Sequence, residues 1–368
     1  MDRFRHQPLD LSKRQIRLIC IENSNDESAA IKVFVKNFNL SIKPRYIALS
    51  YTWGPPSPVY DIQVQTPDGT LALLSIRENL YQFLLMMRTR QFRAPETWQW
   101  FFIDQICIDQ ENTLERNHQV NQMGQIYLKA VKAVAWLGPS FPGSDELMAL
   151  ISSYPNYSKD ERSAELYASM AKLIRANEDL IPRFQGLPYW SRLWITQEVL
   201  IPNTVLVFLG RESFLWSTKF GYWIEDVQRI LGSSTSIGYS GRLCALARIR
   251  KFASTYEQLQ WTYAISLIEG SECSELKDKF FGLMALIEPK QKIDIDYAAE
   301  ISTLFEQVIR LVVKDDFEEG CFFDDTGRHE ERVIARVHKI CGALNLDRIV
   351  PCTAFAQELF HEMKTSWR

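Results

Sequence analysis

The chain has 368 residues, 46% of them hydrophobic and 24% charged, with a net charge of −3. That length fits two domains of roughly 100–200 residues better than one, and the composition excludes an intrinsically disordered chain. The basic residues form no block that would neutralise a row of phosphates, the opening MDRFRHQPLD has no apolar leader core, and the greasiest run, residues 131–137, is far short of the roughly 20 residues that span a bilayer, so neither a nucleic-acid nor a membrane partner is expected and the location is expected to be cytoplasmic.

Residues 15–21 and 31–36 read as short strands of a hairpin laid against the main domain, and residues 46–51 (YIALSY) as a β-rich run stopped by Gly54-Pro55-Pro56. DIQVQ and TLALLS flank Pro67-Asp68-Gly69, a tight-turn signal, and form a second hairpin. Leu80, Phe83, Leu84 and Met87 recur at helical spacing, and residues 98–103 (WQWFFI) have the continuous apolar character of a strand buried on both faces. Asn112 with Glu115 fits a capping box for a helix over 112–130, with Val120, Met123, Tyr127 and Ala130 as its buried stripe. Residues 131–138 form a further strand, 140–187 an insertion with helical pieces, 188–200 one helix opened by Pro188, and 204–210 another buried strand. Strands alternating with helices specify an α/β fold with a mostly parallel sheet and helices on both faces. Residues 1–45 are N-terminal strands packed on that domain, 46–211 the domain itself, and 212–368 a mainly helical C-terminal region.

The seven cysteines are widely spaced with no C-x-x-C pair, which points to reduced thiols, and the five histidines include no zinc-binding spacing, so no metal is expected. G-x-G-x-x-G, the phosphate-binding P-loop and G-x-S-x-G are all missing, which leaves dinucleotide-dependent hydride transfer, P-loop NTPase and α/β-hydrolase chemistry without their enabling turns.

In open parallel sheets ligands bind outside the carboxyl ends of the strands. Three clusters fall at such ends: Ser50-Tyr51-Thr52-Trp53-Gly54, Asp104 through Gln110, and the segment carrying Trp190, Arg192, Trp194, Gln197 and Glu198. They are expected to share one cleft, with Asp104 and Glu198 both facing it. Cys107 and His118 offer a nucleophile and base, or a packing cysteine and a bystander. Asp104 and Asp109 either bind ribose hydroxyls or a cation, or cap turns. On a continuous helix, Trp190, Trp194 and Glu198 project two indoles and a carboxylate from one face, which suits a flat base joined to a sugar. In the last turn the helix dipole disfavours that anion by about 0.3–1 kcal/mol, a cost that fits either a functional carboxylate or one salt-bridged to Arg192.

These residues together resemble the HET domain, named for heterokaryon incompatibility in filamentous fungi. The resemblance rests on residues 46–54 (YIALSYTWG), 104–110 (DQICIDQ), Glu115-Arg116 with Gln119-Val120, Met123 and Ile126-Tyr127, then Trp136-Leu137-Gly138, and Arg192-Leu193-Trp194 with Gln197-Glu198. Asp278 to Leu283 and Asp294 to Tyr297 resemble the stretch that follows such domains; Asp109 and Asn112 depart from the family pattern. The HET domain in turn resembles TIR domains, flavodoxin-like modules several of which cleave NAD through a glutamate in W-C-x-x-E. Here Trp194 and Glu198 keep that offset with Ile195 in place of the cysteine, and Ser50-Tyr51 resembles the pair closing the first TIR strand. What this implies is a cell-death or non-self-recognition effector that self-associates, answers to an upstream recognition protein, and takes NAD or a related nucleotide as substrate rather than cofactor. Glu198 and Asp104 would be catalytic, and Ser50, Tyr51, Trp53, Gly54, Arg192, Trp194 and Gln197 would bind substrate. The alternatives are a non-enzymatic assembly module and a nucleoside- or nucleotide-processing enzyme using the same cleft.

Overall fold

The β-rich runs up to residue 215 all enter one sheet. The computed structural model describes residues 1–26, 28–89, 100–154, 164–231, 242–252, 258–318, 329–346 and 349–365. The strands are β1 (Gln15–Ile21), β2 (Lys32–Asn39), β3 (Ile47–Tyr51), β4 (Val59–Gln65), β5 (Leu71–Arg77), β6 (Phe101–Phe102), β7 (Lys132–Trp136), β8 (Val205–Leu209) and β9 (Glu212–Leu215). They lie in the order β5-β4-β2-β1-β6-β3-β7-β8-β9.

The centre, β6-β3-β7-β8, is parallel. Its chain order, second-first-third-fourth, is the flavodoxin-like arrangement, and the order reverses at β3. All five β3 residues are buried, as a strand covered on both faces requires. Each of Ile47, Leu49, Val134, Val205 and Val207 contributes about 1.5–3 kcal/mol by leaving water. The four strands expected at residues 46–51, 98–103, 131–137 and 204–209 therefore share one sheet, although 98 and 99 lie outside the described residues.

The N-terminal strands differ from the expectation of a hairpin resting on the domain. β1 pairs antiparallel with both β2 and β6, which splices the hairpin into the main sheet. β4 and β5 pair antiparallel around a turn where Asp68 accepts from the Thr70 N–H at 3.1 Å and Gly69 holds φ +88°.

The helices up to residue 252 are α1 (Glu78–Thr89), α2 (Asp104–Cys107), α3 (Thr113–Lys129), α4 (Ser144–Ser153), α5 (Ala164–Ala176), α6 (Leu180–Gln185), α7 (Pro188–Ser191), α8 (Ile195–Leu200), α9 (Thr218–Leu231) and α10 (Arg242–Phe252). The single helix expected over 188–200 is broken in two. Arg192 adopts an extended conformation, φ −63° and ψ 134°, because its guanidinium turns back to the Tyr51 carbonyl. At the start of α3, Asn112 caps the Glu115 N–H at 3.1 Å, but only half of the capping box forms. The Glu115 carboxylate instead makes a two-pronged pair with buried Arg17, including one contact of 2.9 Å, and accepts the Asp109 N–H at 2.8 Å. Val120 is half-buried, and Gln119 takes the covered place by donating to the Gln15 carbonyl at 2.8 Å.

The chain divides into two compact units, Met1–Tyr256 and Glu257–Arg368. β9, α9 and α10, which helical periodicity joined to a C-terminal region starting at 212, thus belong with the sheet. The second unit is built from α11 (Trp261–Ser266), α12 (Asp278–Phe281), α13 (Ile301–Glu318), α14 (His329–Ala343) and α15 (Cys352–Thr365), around Trp261, Phe280, Phe305, Val312 and Val337. Its two motifs meet: the Tyr297 hydroxyl donates to Asp278 at 2.5 Å and Lys277 donates to the Tyr297 carbonyl at 2.7 Å. Cys341 on α14 and Cys352 at the start of α15 bring their sulfurs together. Cys20, Cys107, Cys244 and Cys273 are free, and Cys321 lies outside the described residues. Among the described residues no helix is long and apolar enough to cross a membrane.

Candidate active site

At the carboxyl end of β3 the chain presents Ser50 and Tyr51, and at the carboxyl end of β6 it presents Asp104 in the first turn of α2. The break between α7 and α8 swings Arg192 and Glu198 over the same strand ends. The Ser50 hydroxyl donates to Glu198 Oε2 at 2.5 Å, which leaves the Tyr189 hydroxyl, 2.7 Å away, to donate to Ser50. Arg192 binds the Tyr51 carbonyl and lies 3.5 Å from Glu198 Oε2. On the other side Tyr51 donates to Gln105 at 3.2 Å, and the indole N–H of Trp53 donates to Asp104 Oδ2 at 2.9 Å. Asp104 and Glu198 thus flank one arginine, and each feels the charge of Arg192.

Burial pushes the Glu198 carboxyl up to about 6, against the opposing charge of Arg192 and the Ser50 hydrogen bond, with the Asp104 charge adding to the rise. Burial likewise raises Asp104, opposed by Arg192 and the Trp53 N–H. Glu198 is the fourth of the six residues of α8, a short helix rather than the end of a long one. Lying within one turn of both ends, its anion is neither favoured nor penalised appreciably by the helix dipole, so the local cost expected from a longer helix is absent. What holds its pKa up is desolvation.

The loop after β3 is held from α1 and β5. Asn79 donates to the Thr52 carbonyl at 2.6 Å, Arg77 donates to the Gly54 carbonyl at 2.7 Å, and the Arg77 guanidinium sits 5.2 Å from the Trp53 ring centre. Gly54 has φ +73°, a conformation costly for any side chain.

Residues 46–198 match the family model described as Heterokaryon incompatibility protein (HET). The chain carries a HET domain. It is 32% identical to heterokaryon incompatibility protein 6, OR allele, of Neurospora crassa, over 76% of this chain and 49% of that protein. The chain thus spans about half the length of that relative. No solved structure matches it.

Within the HET domain, Ser50, Tyr51, Trp53, Gly54, Asp104, Arg192 and Glu198 come together as the sequence suggests. Trp190 does not: with the helix broken, its indole leaves the face of Glu198, is 2% exposed, and packs edge-on against Tyr189 and Trp216 while donating to the Phe184 carbonyl. Trp194 is half-buried. Gln197 is buried, and its side-chain nitrogen finds no hydrogen-bond partner among the described residues. Cys107 and His118 form no dyad. The Cys107 sulfur packs against backbone groups of Phe101 and Ile103 with burial pushing its thiol up to about 12, while His118 contacts the Lys13 carbonyl at 3.1 Å. Asp109 accepts the Glu111 N–H at 3.3 Å, a turn cap. Tyr189 and Arg77 are additions that sequence reasoning missed. Arg77 reaches the site from the end of β5, which only the tertiary fold brings near, while Tyr189 stands in the 188–200 segment but off the i, i+4, i+8 spacing of Trp190, Trp194 and Glu198.

Proposed function

We propose that this chain is a non-self-recognition and cell-death effector whose HET domain hydrolyses NAD at the nicotinamide–ribose bond. The family description and the name of the Neurospora relative support the biological role. The chemistry rests on one observation: Glu198 is a desolvated carboxylate at the end of the central parallel strand, with a pKa of about 6, hydrogen-bonded to Ser50 and faced by Arg192.

In the proposed reaction the bond from the ribose anomeric carbon to the pyridinium nitrogen breaks, and both electrons pass to the ring, which leaves as neutral nicotinamide. Water adds to the anomeric carbon and releases a proton. A cationic leaving group needs little acid catalysis; the demand is a fixed negative charge beside the oxocarbenium-like ribose. Glu198 supplies that charge, and above pH 6 it is also able to take the water proton. Asp104 reinforces the negative field, Arg192 offers a cation to the diphosphate, and Trp194 offers an indole to a base. Arg77 lies against the Trp53 ring, which makes Trp53 chiefly a strut for Asp104. Self-association and an upstream recognition partner belong to the same reading.

The 2% exposure of Glu198 favours a second reading, in which the Tyr189–Ser50–Glu198 chain only holds the fold and the domain acts by assembly. Incubating purified protein with NAD and a panel of nucleosides and nucleotides separates the two. Release of free nicotinamide is expected. Release of other bases in its place points to a nucleotide-processing enzyme, and intact substrates after long incubation with concentrated, assembled protein support the assembly module.

A further inference from the structure

A helix of six residues has almost no stability of its own, because nucleation is unfavourable and its end carbonyls lack intrahelical partners. α8, which carries Glu198, is such a helix. Its ends are held by two arginines of α10, a helix outside the 46–198 family match. Arg242 Nη2 donates to the Arg192 carbonyl at 2.9 Å, the Leu193 carbonyl at 3.1 Å and the Thr196 hydroxyl at 2.5 Å, while Thr196 donates to the Leu193 carbonyl at 2.7 Å. At the other end Arg250 Nη1 donates to the Val199 carbonyl at 2.5 Å, and its Nη2 reaches the Pro202 and Asn203 carbonyls at 3.0 and 3.2 Å.

The spacing explains why one helix serves both ends. Arg242, Leu246 and Arg250 lie at i, i+4 and i+8, one stripe of α10, with Leu246 buried between the two cations. Eight residues advance about 12 Å along α10, and six-residue α8 is about 9 Å long. Burial lowers both guanidiniums to about 10, so both stay charged at neutral pH and present forked donors to several carbonyls at once. Arg242 grips the backbone of Arg192, the residue whose side chain faces Glu198.

We infer that Arg242 and Arg250 are positioning residues for Glu198, so that the site-forming unit of this protein runs through α10 rather than ending with the family match. The inference rests on Glu198 being the functional carboxylate. Its test reads structure and activity separately, by amide hydrogen exchange and nicotinamide release on the full chain carrying Arg242→Ala, Arg250→Ala or the Lys replacements. In the Ala variants, exchange at residues 195–200 should rise about tenfold while β7 and β8 keep their protection. The kcat for nicotinamide release should fall about tenfold in both, with KM for NAD unchanged in Arg250→Ala, whose contacts on α8 lie at the end away from Arg192, and Lys should restore part of it. Unchanged protection of α8 in a folded variant overturns the inference, as does a rise spread evenly over the sheet. Should the Ala variants fail to fold, the Lys variants decide on the same readout, because one ammonium does not reproduce the fork. If the wild-type protein releases no nicotinamide, the functional reading falls while the exchange data still decide the role of α10.

Discussion

Glu115 and Glu198 are each 2% exposed, yet their carboxyl groups are displaced in opposite directions. For Glu115 burial acts upward, but the hydrogen bonds from Arg17 and the Asp109 N–H outweigh it and the group ends below its ordinary 4.5. Its native interactions therefore add stability above about pH 4.5 that is lost as pH falls through the lowered value. Glu115→Gln should cost about 3–5 kcal/mol by leaving Arg17 buried and unpaired, and adding Arg17→Met should recover much of the lost melting temperature. Glu198 behaves oppositely. Its rise from 4.5 to about 6 means that the native state favours the neutral acid, so stability is fully present below 4.5 and declines by about 2 kcal/mol as pH rises through 6. Glu198→Gln should accordingly melt no lower than wild type at pH 8, with any advantage gone at pH 4; a clearly lower melting point at pH 8 would mean that the Arg192 pair is net stabilising. Activity should fall on acidification through about 6, and Ser50→Ala, which removes a donor to the carboxylate, should shift that limb to higher pH.

At the scale of elements, the loop after β3 places Trp53 against Asp104, and Gly54 is its conformational pivot. Gly54→Ala should cost about 1–2 kcal/mol through its positive φ alone, since the added methyl meets only Asn79 Cβ, at 3.8 Å. Gly69→Ala has the same left-handed penalty in the β4–β5 turn, where nothing lies within 4 Å. Both variants should melt a few degrees lower, but only Gly54→Ala should impair turnover; equal effects on turnover would detach this loop from the site. The elements most legible in the sequence were those specified locally: the Asp68-Gly69 hairpin, the Asn112 cap and the apolar β3, β7 and β8. What failed was set at a distance. No glycine or proline marks the break at Arg192, because it is made by the Tyr51 carbonyl and the Arg242 guanidinium. Half of the Glu115 capping box was lost because Arg17, on β1, outcompetes a backbone N–H for a carboxylate.

At the scale of the whole molecule, a nine-stranded sheet gathers residues from the ends of β3 and β6 and from α8 at one place. The cluster of candidate residues was readable in advance because parallel sheets concentrate ligand sites at strand carboxyl ends. The role of α10 was not, since helical periodicity gives no sign of which neighbour a helix braces. Whether Glu198 carries the chemistry rather than the fold is decided by nicotinamide release from NAD by wild type and Glu198→Gln, with melting temperatures taken on the same preparations. Turnover should fall by about 10²–10³, or about 3–4 kcal/mol of transition-state stabilisation, in a variant that melts no lower than wild type. Unchanged turnover in a well-folded Glu198→Gln protein would contradict a catalytic role for Glu198.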